Sequence, residues 1–461
     1  MTWKETDQKG VFSRPIGENE TFLKLIGDAG LPLNREHWAI NSTATIQPTG
    51  SLASADLEAL FRLTWAHLRF HHPSLAVEVA PDDKNLVYTV PPDGAALDAW
   101  VSQTFSVARD AESAADVIPT FQPTPYAKMV YIPRSGELLG HTTHWRTDGL
   151  GVLLLLDAFL ALATSHAQSP LPDPASLPWG TEVERLAPAV EDAASMPMEP
   201  TPELKERAGS YVGTFAHSAG ATGIPYLGSP DTLPGGTRRA TLTLSPEETA
   251  KVVAACKDRG VTVTAAVHAS VAGANYALAD AAAKEKHYTS TIRFALRPYL
   301  PEPYSTPAFA AGVYTTGWMK RVEPQASWSE RVQSYQDEYR KGITREFLDS
   351  HREYAAQLGE LIRNMPQGGE PPSDVDISSV GVAEKLVRRS YGTPEAGLEV
   401  RAVSVGVEVL TRQAVTFVWT FRDQLNLSVV YNESFHSAEQ MGEFVATVKS
   451  QLLGGLGVDD A

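Results

Sequence analysis

His144 and Asp148, four residues apart and followed directly by Gly149, are the residues whose types and spacing could do chemistry. An unperturbed imidazole titrates near pH ~6.5, so at neutral pH it is ready to accept a proton. A hydroxyl is a far weaker acid, and its proton must leave while the new bond forms. A histidine on the nucleophile's side of an acyl carbon would then act as general base. Acyl transfer is the chemistry this predicts. Asp148 supplies a carboxylate of the buried type, and Gly149 reads as the turn residue. The competing reading is a histidine satisfied by backbone groups at a strand end, which the spacing alone does not exclude.

The elements around the motif favour a positioned site. Gly136–Gly140 reads as a short strand and Leu150–Leu160 as a buried apolar helix, so the motif lies on a strand-to-helix loop. Upstream, 54–68 has helical spacing with Ser54 or Asp56 as cap and an end at His72-Pro73. Strands are expected at 75–79, 86–90, 126–132 and 137–144. Proline and glycine are scattered from Ala187 to Gly236, which predicts a linker at 191–236 between an N-terminal lobe (1–190) carrying the motif and a C-terminal lobe (237–461). In the second lobe, 237–244 reads as a strand, Ser245-Pro246 opens a helix, and 265–279 is a helix of small residues. Pro366 to Asp376 reads as a surface loop. Strands follow at 400–407, 414–421 and 425–431, with a turn at 422–424, and Ser437 caps a final helix. Each half mixes strands with helices, which predicts an α/β fold in two lobes.

Composition narrows the function classes. A chain of 461 residues exceeds one hydrophobic core, and 43% apolar with 20% charged residues fits an ordinary globular protein. A formal charge of −16 with no clustered basic stripe argues against nucleic acid as a partner. Cys256 is the single cysteine, so neither an internal disulfide nor a cysteine-rich zinc site can form, and no metal is expected. Residues 1–8 carry charge where a secretion signal needs an apolar run, and the apolar stretch 150–163 is short of the ~20 residues that span a bilayer. A cytoplasmic protein without a membrane partner is the expectation. No phosphate loop of the P-loop type is present, so nucleotide hydrolysis has no support.

The motif His144-Trp145-Arg146-Thr147-Asp148-Gly149 before an apolar helix resembles the His-x-x-x-Asp-Gly loop of the chloramphenicol acetyltransferase-like superfamily, which includes condensation domains and plant BAHD acyltransferases. Phe70–Leu75, Lys257–Ala269 and Arg293–Pro301 resemble further segments of that superfamily in the same order. Within it, Gly10–Glu20, Arg35–Trp38, Val418–Phe421 and Tyr431–Glu433 are similar to fungal trichothecene 15-O-acetyltransferase-like proteins. The residue before His144 is Thr143, where condensation domains often have a second histidine. Near Ala402–Gly406 only the final glycine fits the BAHD Asp-Phe-Gly-Trp-Gly motif, which speaks against a plant BAHD assignment.

The resemblance implies a two-lobed chloramphenicol acetyltransferase-like fold with a tunnel between lobes and His144 near its midpoint. It implies an acyl-CoA, often acetyl-CoA, as co-substrate, no permanently bound cofactor, and a hydroxyl of a small secondary metabolite as acceptor. Asp148 would turn away from substrate and pair with an arginine, for which Arg293 stands first by position and Arg297 second. Trp145, Thr147, Thr316, Ser379 and Trp419 are expected to line the substrate space, with Trp318 as a further aromatic. Ser378, Ser379, Thr315 and Thr316 are the candidate oxyanion donors. His268, His71 and His72 read as structural histidines. Two complete lobes in one chain predict a monomer. The alternatives are a condensation domain taking its acyl group from a carrier protein, a member catalysing cyclisation or dehydration, and a noncatalytic metabolite-binding protein.

Overall fold

The computed structural model describes residues 2–229, 231–365 and 372–458. Its framework is two sheets. A six-stranded sheet runs in the order Ser390–Thr393, Ala396–Val407, Ile40–Gly50, Glu137–Thr142, Lys128–Ile132, Phe105–Val107, with only the last pair parallel. A four-stranded sheet runs Val375–Val382, Ala414–Phe421, Gln424–Asn432, Thr237–Thr243, with only the first pair parallel. A ribbon of Tyr288–Ala295 and Thr315–Val322 packs near Val375–Val382. The two-lobed α/β expectation is met.

The strands that carry the site are hydrophobic on both faces because both faces are used. Along Ala414–Phe421, residues Val415, Phe417, Trp419 and Phe421 enter the core of the first lobe. Ala414 and Val418, on the other face, enter the core of the second. This strand therefore stands between the two cores, a position that explains its near-continuous apolar run. The hairpin after it turns at Arg422 and Asp423, both with positive φ (51° and 61°), which matches the right-handed twist of the flanking strands.

The motif helix runs Gly149–Gln168. Its 20 residues match a bilayer span in length and composition, beyond the 14-residue apolar stretch expected from sequence because Thr164 to Gln168 continue the helix. Its apolar surface is used internally: Leu153, Leu156, Phe159 and Leu160 are fully buried against the helix Leu57–His71 and the six-stranded sheet. Each such side chain stabilises the packing by roughly 1.5–3 kcal/mol. Leu57–His71 is capped by Asp56, whose carboxylate accepts from the Ala59 amide.

Local proline chemistry accounts for two departures. The expected strand at 75–79 is a 3-10 turn, Pro73–Ala76, followed by a two-residue strand, because Pro73 starts a turn and has no N–H to give a ladder. Inside the Pro-rich 191–236 stretch lies an α-helix, Pro202–Val212, with Thr201 as cap and Pro202 at its first position, packed on the helix Arg345–Arg363. The division at residues 190 and 237 also omits a crossover. Strands Ser390–Thr393 and Ala396–Val407, from the second half, complete the sheet of the first. Of the loop expected at 366–376, residues 366–371 lie outside the described residues, and Val375 already begins a strand.

Candidate active site

The motif loop leaves the strand Glu137–Thr142 and hands its side chains alternately to the two lobes. Arg146 turns into the first lobe, where Nη1 donates to Thr142 Oγ1 (2.9 Å) and Thr143 Oγ1 (3.1 Å), and Nη2 to the Val77 and Pro125 carbonyls (2.8 and 2.6 Å). Its guanidinium lies 4.6 Å from the centroid of the Trp145 ring. This anchoring sends Trp145 into the core, so the expected pocket role of Trp145 is corrected: the ring is buried on the side away from the central cavity. Arg146 itself is an organising residue that the sequence reading passed over.

Asp148 faces the second half and serves two ends at once. Its Oδ1 caps the motif helix by accepting from the Leu150 and Gly151 amides (3.1 and 2.9 Å). Its partner is Arg297, whose Nη1 lies 2.7 and 2.6 Å from the two carboxylate oxygens, and the Tyr314 amide donates to Oδ2 at 2.8 Å. Arg297 Nη2 continues to the Ala310 and Gly312 carbonyls, and Thr147 Oγ1 also donates to Ala310 (2.7 Å). Thr147 is thus fully buried as a stitch between the halves and does not line the substrate space. Arg293, the first choice for the Asp148 partner, pairs instead with Asp376 at 2.7 Å. The reason is placement: Arg293 is still on the ribbon strand beside Val375–Val382, whereas Arg297 starts the turn that follows and comes under the motif loop.

Gly149 has ordinary backbone torsion, and a Cβ there would meet only Val405 Cγ1 at 3.7 Å. The glycine that the loop requires is Gly151. A Cβ on it would sit 2.1 Å from Thr147 Oγ1 and 2.3 Å from the Ala310 carbonyl. Absence of a side chain at 151 is what lets the helix start dock on the segment of the second half.

Beside His144 lies a cavity of about 310 Å³. One wall comes from the six-stranded sheet (Ile40, Val405, Val407) and the opposite one from Arg293, Phe294, Thr315, Ser378, Val415 and Phe417. Trp38 closes one side, its ring centroid 6.2 Å from that of His144, on a backbone with φ +63°. Both halves of the chain thus build the space. Of the expected lining residues Ser379 is there, as is Thr315 from the candidate oxyanion donors, while Thr316 and Trp419 are not. Thr316 is on the other face of its strand from Thr315 by the two-residue period, and Trp419 lies about 7 Å further along its strand than Phe417. Trp318 is buried in a separate core cluster.

The His144 ring is neutral at neutral pH. Burial pushes its pKa below the usual imidazole value and Arg293 pushes the same way, while the His144 and Thr147 carbonyls and Asp148 favour the proton. Among the described residues no group meets hydrogen-bond geometry with the enclosed Nδ1, which leaves Nε2 as the nitrogen toward the cavity that His144 lines. A neutral ring with its proton on the enclosed Nδ1 has the Nε2 lone pair free to accept one. Three cavity hydroxyls differ in freedom. Thr315 donates to the Phe294 carbonyl (3.1 Å), Ser379 pairs with Thr264 (3.1 Å), and Ser378 has no partner among the described residues. Ser378 is therefore the hydroxyl available to a developing negative charge. His268 is fully buried between Ser290 and Tyr339, and His72 is buried too, both as structural groups.

No protein-family model matches the chain. A curated relative, acetyltransferase pigO of Monascus ruber, is 44% identical over 464 residues, covering all of this chain and 99% of its own. The chain belongs to this family of fungal acetyltransferases. O-acetyltransferase pigM of the same organism is 32% identical over all of this chain and 88% of its own. Among solved structures, the TRI3 trichothecene 15-O-acetyltransferase of Fusarium sporotrichioides superposes with TM-score 0.84 over 98% of this acetyltransferase and 97% of its own chain, at 18% identity. The first condensation domain of the calcium-dependent antibiotic synthetase follows at 0.66 over 97% of both chains, at 14% identity. Those two likenesses show the shared two-lobed fold.

Proposed function

We propose that this acetyltransferase moves an acetyl group from acetyl-CoA to a hydroxyl of a small secondary metabolite, with His144 as general base. The observation that carries the reading is a neutral imidazole with Nε2 open to a cavity walled by both lobes. The acceptor hydroxyl gives its proton to Nε2 as its oxygen attacks the thioester carbonyl. The carbon–sulfur bond then breaks, and the proton on Nε2 passes to the departing thiolate. Ser378 donates to the carbonyl oxygen as it becomes negative, and the largely apolar walls keep water from competing for the acyl group. Arg297 and Asp148 act on the loop and not on substrate. We further propose that one chain suffices, since both walls come from it, that acetyl-CoA is a co-substrate with no resident cofactor beside it, and that the reaction belongs in the cytoplasm.

The test is transfer from acetyl-CoA to a panel of polyhydroxylated terpenoids and polyketides, read as free thiol with product mass naming the nucleophile. His144→Ala should lower turnover by roughly 10²–10⁴-fold while circular dichroism and thermal unfolding stay as in the parent. Below the lowered His144 pKa the ring is protonated, so activity should fall on the acid side only. Full activity in the alanine variant would refute the role.

A further inference from the structure

Arg293 was expected to hold Asp148 and does not, so its place at the cavity wall needs another account. Among the described residues it is the only Lys or Arg lining the cavity, where the other walls are mostly apolar side chains. Its side chain is 25% exposed. One guanidinium N–H of Nη2 goes to Asp376 and one of Nη1 to the Ile377 carbonyl. Of five N–H donors, the other three have no partner among the described residues.

Asp376 does not consume the charge it faces. Its carboxylate is almost fully buried, yet it also accepts from the Thr291 amide (3.0 Å), the Thr291 hydroxyl (2.9 Å) and the Ile377 amide (2.8 Å), and these with Arg293 hold its pKa below the usual carboxylate value. The anion is solvated by Thr291 of the adjacent ribbon and by the next amide of its own strand. The guanidinium, by contrast, has Asp376 as its one counter-ion and keeps three N–H donors without a partner among the described residues, at the wall of a largely apolar space. A ligand oxygen that is itself negative would complete both groups.

We propose that Arg293 is a specificity-determining residue that selects an acceptor bearing one acidic oxygen, a carboxylate or an acidic enol, besides the hydroxyl to be acetylated. This rests on the acetyl-transfer reading above. A phosphate of the donor is the weaker match, because beside the Arg293–Asp376 pair a doubly charged group brings two negative charges into largely apolar walls where a carboxylate or enolate brings one. The positions divide the work: His144 handles the hydroxyl, and Arg293, from the other lobe, holds the second oxygen.

The probes are 3- and 4-hydroxycyclohexanecarboxylates, cis and trans, each against its methyl ester, with acetyl-CoA as donor. For at least one isomer the acid should be preferred over its ester in kcat/KM by about tenfold to a hundredfold, the worth of a charge-assisted hydrogen bond. In the Arg293→Gln/Asp376→Asn double variant, which removes both members of the pair, that ratio should fall at least tenfold. Arg293→Lys, which keeps the charge and loses the planar fork, should fall at least threefold and guards against misfolding of the double variant. Binding of the same pairs, read by tryptophan fluorescence without acetyl-CoA, should show the same preference and the same loss. No acid preference in the parent, or a ratio unchanged by the variants, overturns the proposal. A rise in the KM for acetyl-CoA with an unchanged ratio overturns it in favour of the donor phosphate. If nothing is acetylated while the binding preference and its loss are seen, the transfer reading fails and the anion site stands.

Discussion

Replacing Asp148 by Asn tests whether the motif carboxylate acts by holding the loop. Asparagine caps helices about as well as aspartate, so Oδ1 can keep its bonds from Leu150 and Gly151. What changes is the other atom. An NH₂ in place of Oδ2 faces the Tyr314 amide and the Arg297 guanidinium, both donors, and leaves the buried cation without its counter-charge. Breaking a buried pair in this way costs about 3–5 kcal/mol. Asp148→Ala should cost roughly 1 kcal/mol more, because the cap is lost as well. Arg297→Met in the Asp148→Asn background should cost less than the sum of the single changes, since the two residues share one network. Urea unfolding followed by tryptophan fluorescence reads all four, and turnover should drop with the loss of loop order. An Asp148→Asn protein within about 1 kcal/mol of the parent and fully active would refute the reasoning.

Ser378→Ala should lower kcat by roughly 10²–10³-fold with little change in KM, as expected when a donor acts on the oxyanion and not on the ground state; an equal rise in KM would assign Ser378 to binding. Gly149→Ala should fold normally and lose turnover of the bulkier acceptors because its methyl adds to the cavity wall, whereas Gly151→Ala should unfold at markedly lower urea, a contrast that thermal and urea unfolding will show. Stability against pH should be shallow near pH 5–6 and drop steeply below about 4.5. His37 and His72 are pushed down to about 4, and His141, His268 and His351 to about 3, chiefly by burial, so their contribution is full above 6.5 and is lost as pH falls toward those values. Glu36, Glu191 and Asp374, raised to about 7 by burial, act with opposite sign between their unfolded values and 7 and no longer oppose the histidines below about 4.5. A urea midpoint that holds steady from pH 4.5 to 3 would contradict this balance.

His144, Asp148 and the strand-loop-helix around them were legible in sequence because each signal is local: a strand, a cap and an apolar helix within about thirty residues. The strands 414–421 and 425–431 were equally plain from their β-branched and aromatic runs. Choices that depend on the far wall were not. Arg293 and Arg297 differ by one turn of chain, and only the packed ribbon shows which one reaches Asp148. Val405, Val407, Val415 and Phe417 look like any core strand, since a cavity wall and a packed core use the same residues. Trp38 counted only within the Arg35–Trp38 resemblance and had no assigned place at the site, because its position beside His144 depends on a positive φ and a bond from its amide to the Glu408 carbonyl, 370 residues away. Gly149 drew attention as the conspicuous motif glycine, while the sterically indispensable Gly151 was hidden in the apolar run.

Strand Ala396–Val407 lies in the six-stranded sheet and Ala414–Phe421 in the four-stranded one, with only residues 408–413 between them. That short bridge, with residues 383–389 between Val375–Val382 and Ser390–Thr393 and the long connection before residue 237, ties the halves together three times. A clam-like swing of one half away from the other would have to tear ladder bonds on one side of the bridge. Molecules must then reach the imidazole by small local adjustments around its rim, and a protein cut at the long connection should yield fragments that precipitate alone yet reassemble when refolded together.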